Sequence, residues 1–239
     1  MSPASCTPEW LYKIFQQKHD ITYISANPYI NSKGINIKSF DISQCIYNWN
    51  AKQHFTQIVD TWDKHWNNEL GTIHPRTINN EYFAQKPKNK TILHYMQPHK
   101  PYLNSPKHQK MVSIKKLKNE VKSIENNSFL GSFRDQLGKI VDSTLSKKQI
   151  WWIRKKLNLE PNKSDELAYR KGDILYYYKQ NLKKVLKTVS NLIKEVENDK
   201  KIIITSDHGE AFGEKGIWNH PKESNLDVLR EIPWLELRR

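Results

Sequence analysis

The 239-residue chain is poor in cysteine, in glycine and in long apolar runs. Its two cysteines, Cys6 and Cys45, are too few for a disulfide framework or a cysteine-ligated metal site, and the sequence leaves their pairing open. No stretch approaches the ~18 consecutive apolar residues of a membrane-spanning helix. Residues 1–15 also lack the charged start and apolar core of a signal peptide. The chain as given is expected to be soluble, and its compartment stays unknown.

Apolar residues are also scarce, at 37% of the chain, but 11% of the residues are aromatic, including eight tryptophans. This aromatic content argues against a disordered chain. The length suffices for one large domain with a sizeable core. We predict a single domain over residues 1–239, in which the Lys- and Asn-rich residues 104–145 form a surface excursion that covers the mouth of the site.

Acidic residues are outnumbered by basic ones, which gives a net charge of +14. Such a surface attracts polyanions, among them nucleic acids, anionic lipid head groups and sulfated or phosphorylated glycans. The sequence has no zinc finger, no arginine-rich block and no aromatic pair of an RNA-binding motif. The lysines are therefore interpreted as the solvated faces of helices, and nucleic-acid binding is not predicted as the main function.

Hydrophobic periodicity and capping residues predict alternating helices and strands. Thr7 is a suitable N-cap for a first helix, with Pro8 at its first position. The further elements predicted are a strand over 21–25, helices over 51–66 and 77–85, a strand over 91–96, and helices over 146–157 and 165–197. The buried stripe of the last helix is predicted to contain Leu175, Leu182, Val185, Leu186, Val189, Leu192, Ile193 and Val196.

The residues 201–210, of sequence KIIITSDHGE, contain the strongest signal for a functional site. Consecutive isoleucines between lysines and a polar turn predict a short strand buried on both faces. Asp207 and His208 follow it, at the strand edge where open α/β sheets bind ligands. A carboxylate and an imidazole there suit a divalent metal of the Zn or Mn type. His220 follows twelve residues after His208, beyond a glycine-containing loop that can fold it back over the site.

Three segments resemble the sulfatase and alkaline phosphatase superfamily. Residues 206–220, SDHGEAFGEKGIWNH, are similar to its C-terminal metal-binding segment, in which a strand ends in Asp-His-Gly-Glu and a later histidine completes the site. Residues 93–102, LHYMQPHKPY, are similar to its strand ending in Pro-His-x-Pro-Tyr. Residues 227–235, DVLREIPWL, are similar to the strand that returns after the last histidine of the metal site.

The resemblance implies an α/β fold of alkaline-phosphatase type, a three-layer sandwich with a mostly parallel central sheet flanked by helices. It also implies a divalent metal (Mn, Zn, Ca or Mg) bound by Asp207 and His208, with His220 as a further ligand or as a contact to the transferred group. His99 is implied as the contact to the transferred phosphoryl or sulfuryl group. Lys100 is expected beside it as a second cationic donor.

Residues 5–8, Ser-Cys-Thr-Pro, open the first helix, and the superfamily places its nucleophile at such a helix N-terminus. The stretch resembles the start of the sulfatase motif in which the cysteine is oxidised to formylglycine, but Glu9 and Trp10 stand where that motif has Ser and Arg. It equally resembles relatives whose nucleophile is a threonine. Thr7 is therefore preferred as the nucleophile, and Cys6 is the alternative.

The superfamily domain begins with a strand of acidic metal ligands upstream of the nucleophile, and no such strand precedes Thr7 here. The chain is thus expected to match an N-terminally truncated form of the domain. The resemblance implies a metal-dependent hydrolase or transferase. Its substrate would be an anionic sulfate or phosphate ester of a glycan, lipid or polymer, and the reaction would pass through a covalent intermediate. The alternative is a catalytically incomplete fragment or a non-catalytic binder of anionic glycans or polymers.

Overall fold

The computed structural model of the chain describes residues 1–40, 46–104, 147–157, 159, 166, 170 and 174–238. The chain divides into two compact units. The single domain over residues 1–239 stays a prediction. Unit 1 comprises Met1–Asn67, Thr72–Met96 and Lys183–Arg239, and unit 2 comprises Asn68–Gly71 and Gln97–Leu182. Apart from Asn104, the surface excursion predicted at 104–145 lies outside the described residues, as does Cys45.

Helices and strands alternate along the described part of unit 1. Its first half contains α1 (Thr7–Ile14), β1 (His19–Ser25), β2 (Phe55–Asp60), α2 (Thr61–Lys64), α3 (Arg76–Gln85) and β3 (Lys90–His94). Its second half contains β4 (Lys201–Thr205), β5 (Ala211–Phe212), β6 (Trp218–Asn219), α6 (Asp227–Arg230) and β7 (Trp234–Arg238). Helix α4 (Lys147–Lys156) belongs to unit 2, and α5 (Ile174–Glu195) begins in unit 2 and ends in unit 1.

The first half of unit 1 forms a three-stranded parallel sheet in the order β2-β1-β3. Ser25 at the end of β1 pairs with Asp60 on one side and with His94 on the other. The carboxyl ends of the three strands therefore lie at one edge of the sheet, where α/β proteins bind their ligands. The predicted α/β class and the parallel sheet are confirmed at this level.

Both faces of this sheet are covered, because neighbouring residues of β1 point to opposite sides. Tyr23 packs with Leu11 and Phe15 from α1 in one core cluster. Ile24 packs with Ile78 from α3 in a second cluster on the other side. Strand β1 is thus buried between two helices, which explains its uninterrupted burial from Thr22 to Ser25.

The strands predicted at 21–25 and 91–96 are confirmed as β1 and β3, and the helices predicted at 77–85 and 146–157 as α3 and α4. The helix predicted over 51–66 is wrong, because residues 55–60 form strand β2, Ala51–Gln53 form a short 3-10 helix and only Thr61–Lys64 are α-helical. Phe55, Ile58 and Val59 fit a helical stripe by spacing, but they extend because β1 offers them a parallel partner. Tertiary pairing decides between the two patterns here.

Strand β4 is present as predicted, but its burial on both faces is wrong. It pairs antiparallel with β7, and its residues alternate between exposed and partly exposed, with Ile203 44% exposed. In the described residues β4 and β7 form a two-stranded sheet, and no residue of β4 is fully buried. The apolar run therefore does not mark a strand that is buried on both faces.

The long helix α5 is shorter than the predicted span of 165–197 and has a narrower stripe. Val185, Leu192 and Val196 are buried, together with the polar Asn181 and Thr188. Leu175 and Leu186 are exposed, contrary to prediction. Among the residues that the structure describes, no helix is long and apolar enough to cross a membrane.

Candidate functional site

The N-terminus of α1 positions Thr7 at one side of the candidate site. Cys6, which is buried and extended, is the N-cap, and Thr7 is the first helical residue. The prediction of Thr7 as the cap is thus wrong by one residue. Because its hydroxyl does not cap the helix, it donates a hydrogen bond of 2.7 Å to Oδ2 of Asp207.

Asp207 and His208 follow β4 and complete this arrangement within unit 1. The Nε2 atom of His208 lies 3.3 Å from Oγ1 of Thr7 and 3.6 Å from Oδ2 of Asp207. The Nδ1 atom of His208 lies 2.7 Å from the carbonyl oxygen of Gly209, which can only accept. Nδ1 therefore carries a proton, and Nε2 is the ring nitrogen that faces Thr7 and Asp207.

The charges around Asp207 keep it ionised. Burial alone would raise the pKa of the Asp207 carboxyl. The imidazoles of His208 and His94 and the Thr7 hydrogen bond outweigh burial, so this pKa lies below its usual range. For His94 burial lowers the pKa, Asp207 opposes that effect and His208 adds to it, with the net result below the usual value. Nδ1 of His94 lies 2.8 Å from the Tyr23 hydroxyl.

His220 is folded back next to His208, as the sequence predicts. Their ring centroids are 4.5 Å apart. Nδ1 of His220 lies 2.9 Å from Oε2 of Glu210, which fixes the orientation of the ring. The loop between these two residues is a small hairpin of β5 and β6, closed around Gly213 with φ at +117°.

Gly209 separates His208 from Glu210 and lies directly against α6. Its amide donates to the carbonyl oxygen of Leu229 at 2.9 Å. A Cβ atom added at Gly209 would lie 2.0 Å from the carbonyl oxygen of Val228, so no side chain fits there. The glycine of the Asp-His-Gly-Glu segment is therefore required by packing.

We expect Gly209→Ala to lower the free energy of unfolding by about 2–3 kcal/mol, because the backbone of α6 would have to move. The same shift would displace His208 and weaken metal binding. The measurement is urea denaturation together with a metal titration. Gly216→Ala is the control, since its added Cβ meets open space and only its φ of +76° opposes it, at about 1 kcal/mol. Equal losses in both variants, with unchanged metal affinity, would contradict the packing argument.

The other two predicted site residues, His99 and Lys100, belong to unit 2. There Nδ1 of His99 contacts the carbonyl oxygen of Lys100. The side-chain amide of Asn181 on α5 donates to the carbonyl oxygens of Pro98, His99 and Pro101 at 3.1–3.3 Å. Asn181 thus fixes the segment that contains His99, and the assignment of His99 and Lys100 to the transferred group stays a prediction.

Sequence analysis missed the residues that support Thr7 from behind. The Glu9 carboxylate is fully buried and accepts from the amide and hydroxyl of Ser5 and from the amide of Glu223. The single proton of the Ser5 hydroxyl is shared between Glu9, at 3.0 Å, and the carbonyl oxygen of Pro221, at 2.7 Å. Glu9 stands at the third helical position, where a capping-box glutamate is found, but it accepts from the amide of Ser5 and not from that of the N-cap Cys6. The sequence signal is therefore only partial, and the same glutamate stands where the sulfatase motif has Ser.

Thr7, Asp207 and His208 present a donor set that fits a divalent cation. Oγ1 of Thr7, Oδ2 of Asp207 and Nε2 of His208 form a triangle with sides of 2.7, 3.3 and 3.6 Å. Ligands about 2.0–2.2 Å from a shared cation lie roughly 3 Å apart, which these sides match. Two oxygens and an imidazole nitrogen suit Zn or Mn.

Glu210 and His220 offer a further carboxylate and imidazole next to these ligands.

Comparison of the chain with models of protein families, with curated proteins and with solved structures gives no match.

Proposed function

We propose that the chain is a metal-dependent hydrolase or transferase of the sulfatase and alkaline phosphatase type. It would act on a phosphate or sulfate ester, with Thr7 as the nucleophile. The observation that carries this proposal is the hydroxyl of Thr7 at the N-terminus of α1, bonded to the ionised Asp207 and facing Nε2 of His208. A hydroxyl in such surroundings is positioned for nucleophilic attack.

Thr7, Asp207 and His208 are the residues that would hold a divalent cation. Such a cation would lower the pKa of the Thr7 hydroxyl and offset negative charge on the ester. Oγ1 of Thr7 attacks the phosphorus or sulfur atom as the bond to the ester oxygen breaks, which leaves the group covalently on Thr7. Water or an acceptor alcohol then attacks the same atom and releases Thr7.

The remaining side chains of unit 1 hold the reacting groups in place. The amides at the N-terminus of α1 and the helix dipole stabilise the anionic oxygens of the transferred group. His220, oriented by Glu210, contacts that group. The partly buried imidazole of His94 helps to hold the pKa of the Asp207 carboxyl below its usual range. We also propose His99 and Lys100 as contacts to the transferred group, on the resemblance alone.

An alkaline-phosphatase-like sandwich is part of the same proposal. In the described residues β3 pairs only with β1, and β4 pairs only with β7. The edge of β4 that β7 leaves unpaired among the described residues supports a further strand beside it. Such a strand corresponds to the acidic front strand of the superfamily. If it is required for turnover, the chain would instead bind anionic glycans or polymers through its basic surface.

The test measures metal content and turnover of aryl phosphate and aryl sulfate. The double variant Asp207→Asn, His208→Gln is compared with Asp20→Asn, His54→Gln, whose residues lie away from the site. We expect bound metal and turnover in the parent and in the control. In the site variant, metal affinity and turnover should each fall by more than roughly 10–100-fold, which is the usual loss when a residue that only hydrogen-bonds to a metal ligand is removed. Metal retained by the site variant would overturn the metal assignment. Metal binding without turnover of either ester would favour the incomplete fragment.

A further inference from the structure

Helix α4 in unit 2 has an inner face that is fixed by buried contacts. Trp151 is buried, and Nε of Arg154 donates to both carboxylate oxygens of Glu166 at 3.1 Å. Glu166 is fully buried and also pairs with Arg170. Trp151 and Arg154 are three residues apart, so they lie on the same side of the helix. Rotation of α4 about its axis would break these contacts.

The opposite side of α4 is exposed and apolar, although the helix is basic. Trp152 is 54% exposed and Leu157 is 64% exposed, with Ile153 between them also exposed. The ammonium group of Lys156 lies 5.6 Å from the centre of the Trp152 ring. Residues 152, 153, 156 and 157 form one strip by helical spacing, which we call the α4 outer face. The last turn is basic and the first turn contains no acidic residue.

We propose that the α4 outer face binds the surface of an anionic lipid bilayer. Exposed tryptophan and aliphatic side chains next to lysines are the combination that lies at the boundary between head groups and acyl chains. The Trp152 indole has an apolar body and a polar N–H, which suits that boundary. Lys156 lies in the α4 outer face and is exposed, so its charge faces anionic head groups. Lys155 is exposed in the same turn and adds electrostatic attraction without belonging to that face.

The composition of the α4 outer face favours a bilayer over the other polyanions that a chain with net charge +14 attracts. Nucleic-acid bases stack on aromatic rings and guanidinium planes. Ile153 and Leu157 are aliphatic and have no planar group, so they would not stack on nucleic-acid bases. Both gain from burial in the acyl boundary, as does the aliphatic stem of Lys156. A second copy of the chain would bring a basic helix against a basic helix.

The test is co-sedimentation of the full chain with vesicles of phosphatidylcholine alone or mixed with phosphatidylglycerol. We expect binding to the mixed vesicles only. The variant Trp152→Ser, Leu157→Ser should weaken that binding at least about tenfold, because two buried apolar side chains are lost. The variant Lys155→Gln, Lys156→Gln should weaken it about fivefold per lysine.

Matched variants elsewhere separate this surface from general charge attraction. Trp234→Ser, Leu235→Ser removes two exposed apolar side chains from β7, and Lys38→Gln, Lys52→Gln removes two exposed charges. Neither should change binding appreciably. Absence of binding to mixed vesicles, or equal losses in the matched variants, would overturn the proposal. A dimer in solution that is lost in the Trp152→Ser, Leu157→Ser variant would also overturn the proposal. The same holds if the chain binds single-stranded DNA as tightly as the mixed vesicles and this variant loses that binding.

Discussion

Replacing Thr7 with valine is expected to reduce ester turnover by about three orders of magnitude or more, because the proposed nucleophile is removed while the shape of the side chain is kept. Valine has no oxygen to attack the ester or to donate to Asp207. Turnover of the aryl ester that the parent hydrolyses best measures the effect. An acid quench followed by mass spectrometry should find the transferred group on Thr7 in the parent and no adduct in the variant.

Three further variants sharpen this experiment. Thr7→Ser keeps a hydroxyl at the same position and should retain turnover within about tenfold of the parent. Thr22→Val removes a buried hydroxyl of β1 that bonds to Asn89, and it should leave turnover unchanged. Cys6→Ala tests the alternative nucleophile. An inactive Cys6→Ala enzyme beside an active Thr7→Val enzyme would transfer the role to Cys6.

The meeting of Thr7 with Asp207 and His208 is an expectation that comes from the resemblance to the superfamily, in which the nucleophile begins a helix and the Asp-His pair ends a strand. Local sequence places Thr7 at the start of a helix and the Asp-His pair after a strand, as the structure has them. Local sequence alone does not bring together two segments that are 200 positions apart. His220 was predicted by the same route, from its spacing after His208.

Features that depend on distant partners were predicted less well. Phe55 to Asp60 have apolar spacing that suits a helix or a strand, and only the edge of β1 decides for the strand. The isoleucines of β4 indicate burial, but their exposure depends on which strands lie beside them. The spacing of apolar residues shows which side of a segment can be buried. Which strand the segment pairs with depends on the rest of the chain.

Buried polar residues form a third class, for which the sequence gives a signal without its meaning. Glu9 stands at the position of a capping-box glutamate. Only the structure shows that its carboxylate accepts from the amides of Ser5 and Glu223 and so joins α1 to residues 221–224. Ser2 is similar, since its hydroxyl donates to the main-chain carbonyl of Asp207. Both residues hold the nucleophile segment against the metal segment by contacts that no local pattern encodes.

Replacing Glu9 with alanine is expected to lower the free energy of unfolding by about 3–5 kcal/mol. The amides of Ser5 and Glu223 would both lose their acceptor, at about 1–3 kcal/mol each, and a cavity would remain. Lys13, which pairs with Glu9, is partly exposed and adds little to this loss. Because Ser5 also contacts Pro221, the change should loosen the Thr7 and His220 segments together. Urea denaturation and the turnover assay measure the two effects.

The variant Glu9→Gln separates the charge of Glu9 from its hydrogen bonds, since an amide oxygen can still accept from Ser5. Burial alone would raise the pKa of Glu9, but Lys13 and the donors from Ser5 and Glu223 outweigh it and hold the pKa below its ordinary value. A carboxylate whose pKa falls on folding stabilises the protein above its unfolded pKa, and this contribution is lost as pH falls through the folded pKa. The difference in the free energy of unfolding between the parent and Glu9→Gln should therefore be largest near neutral pH and should disappear at acidic pH. A gap that is independent of pH would mean that the charge of Glu9 does not stabilise the fold, and that its role is confined to accepting hydrogen bonds behind Thr7.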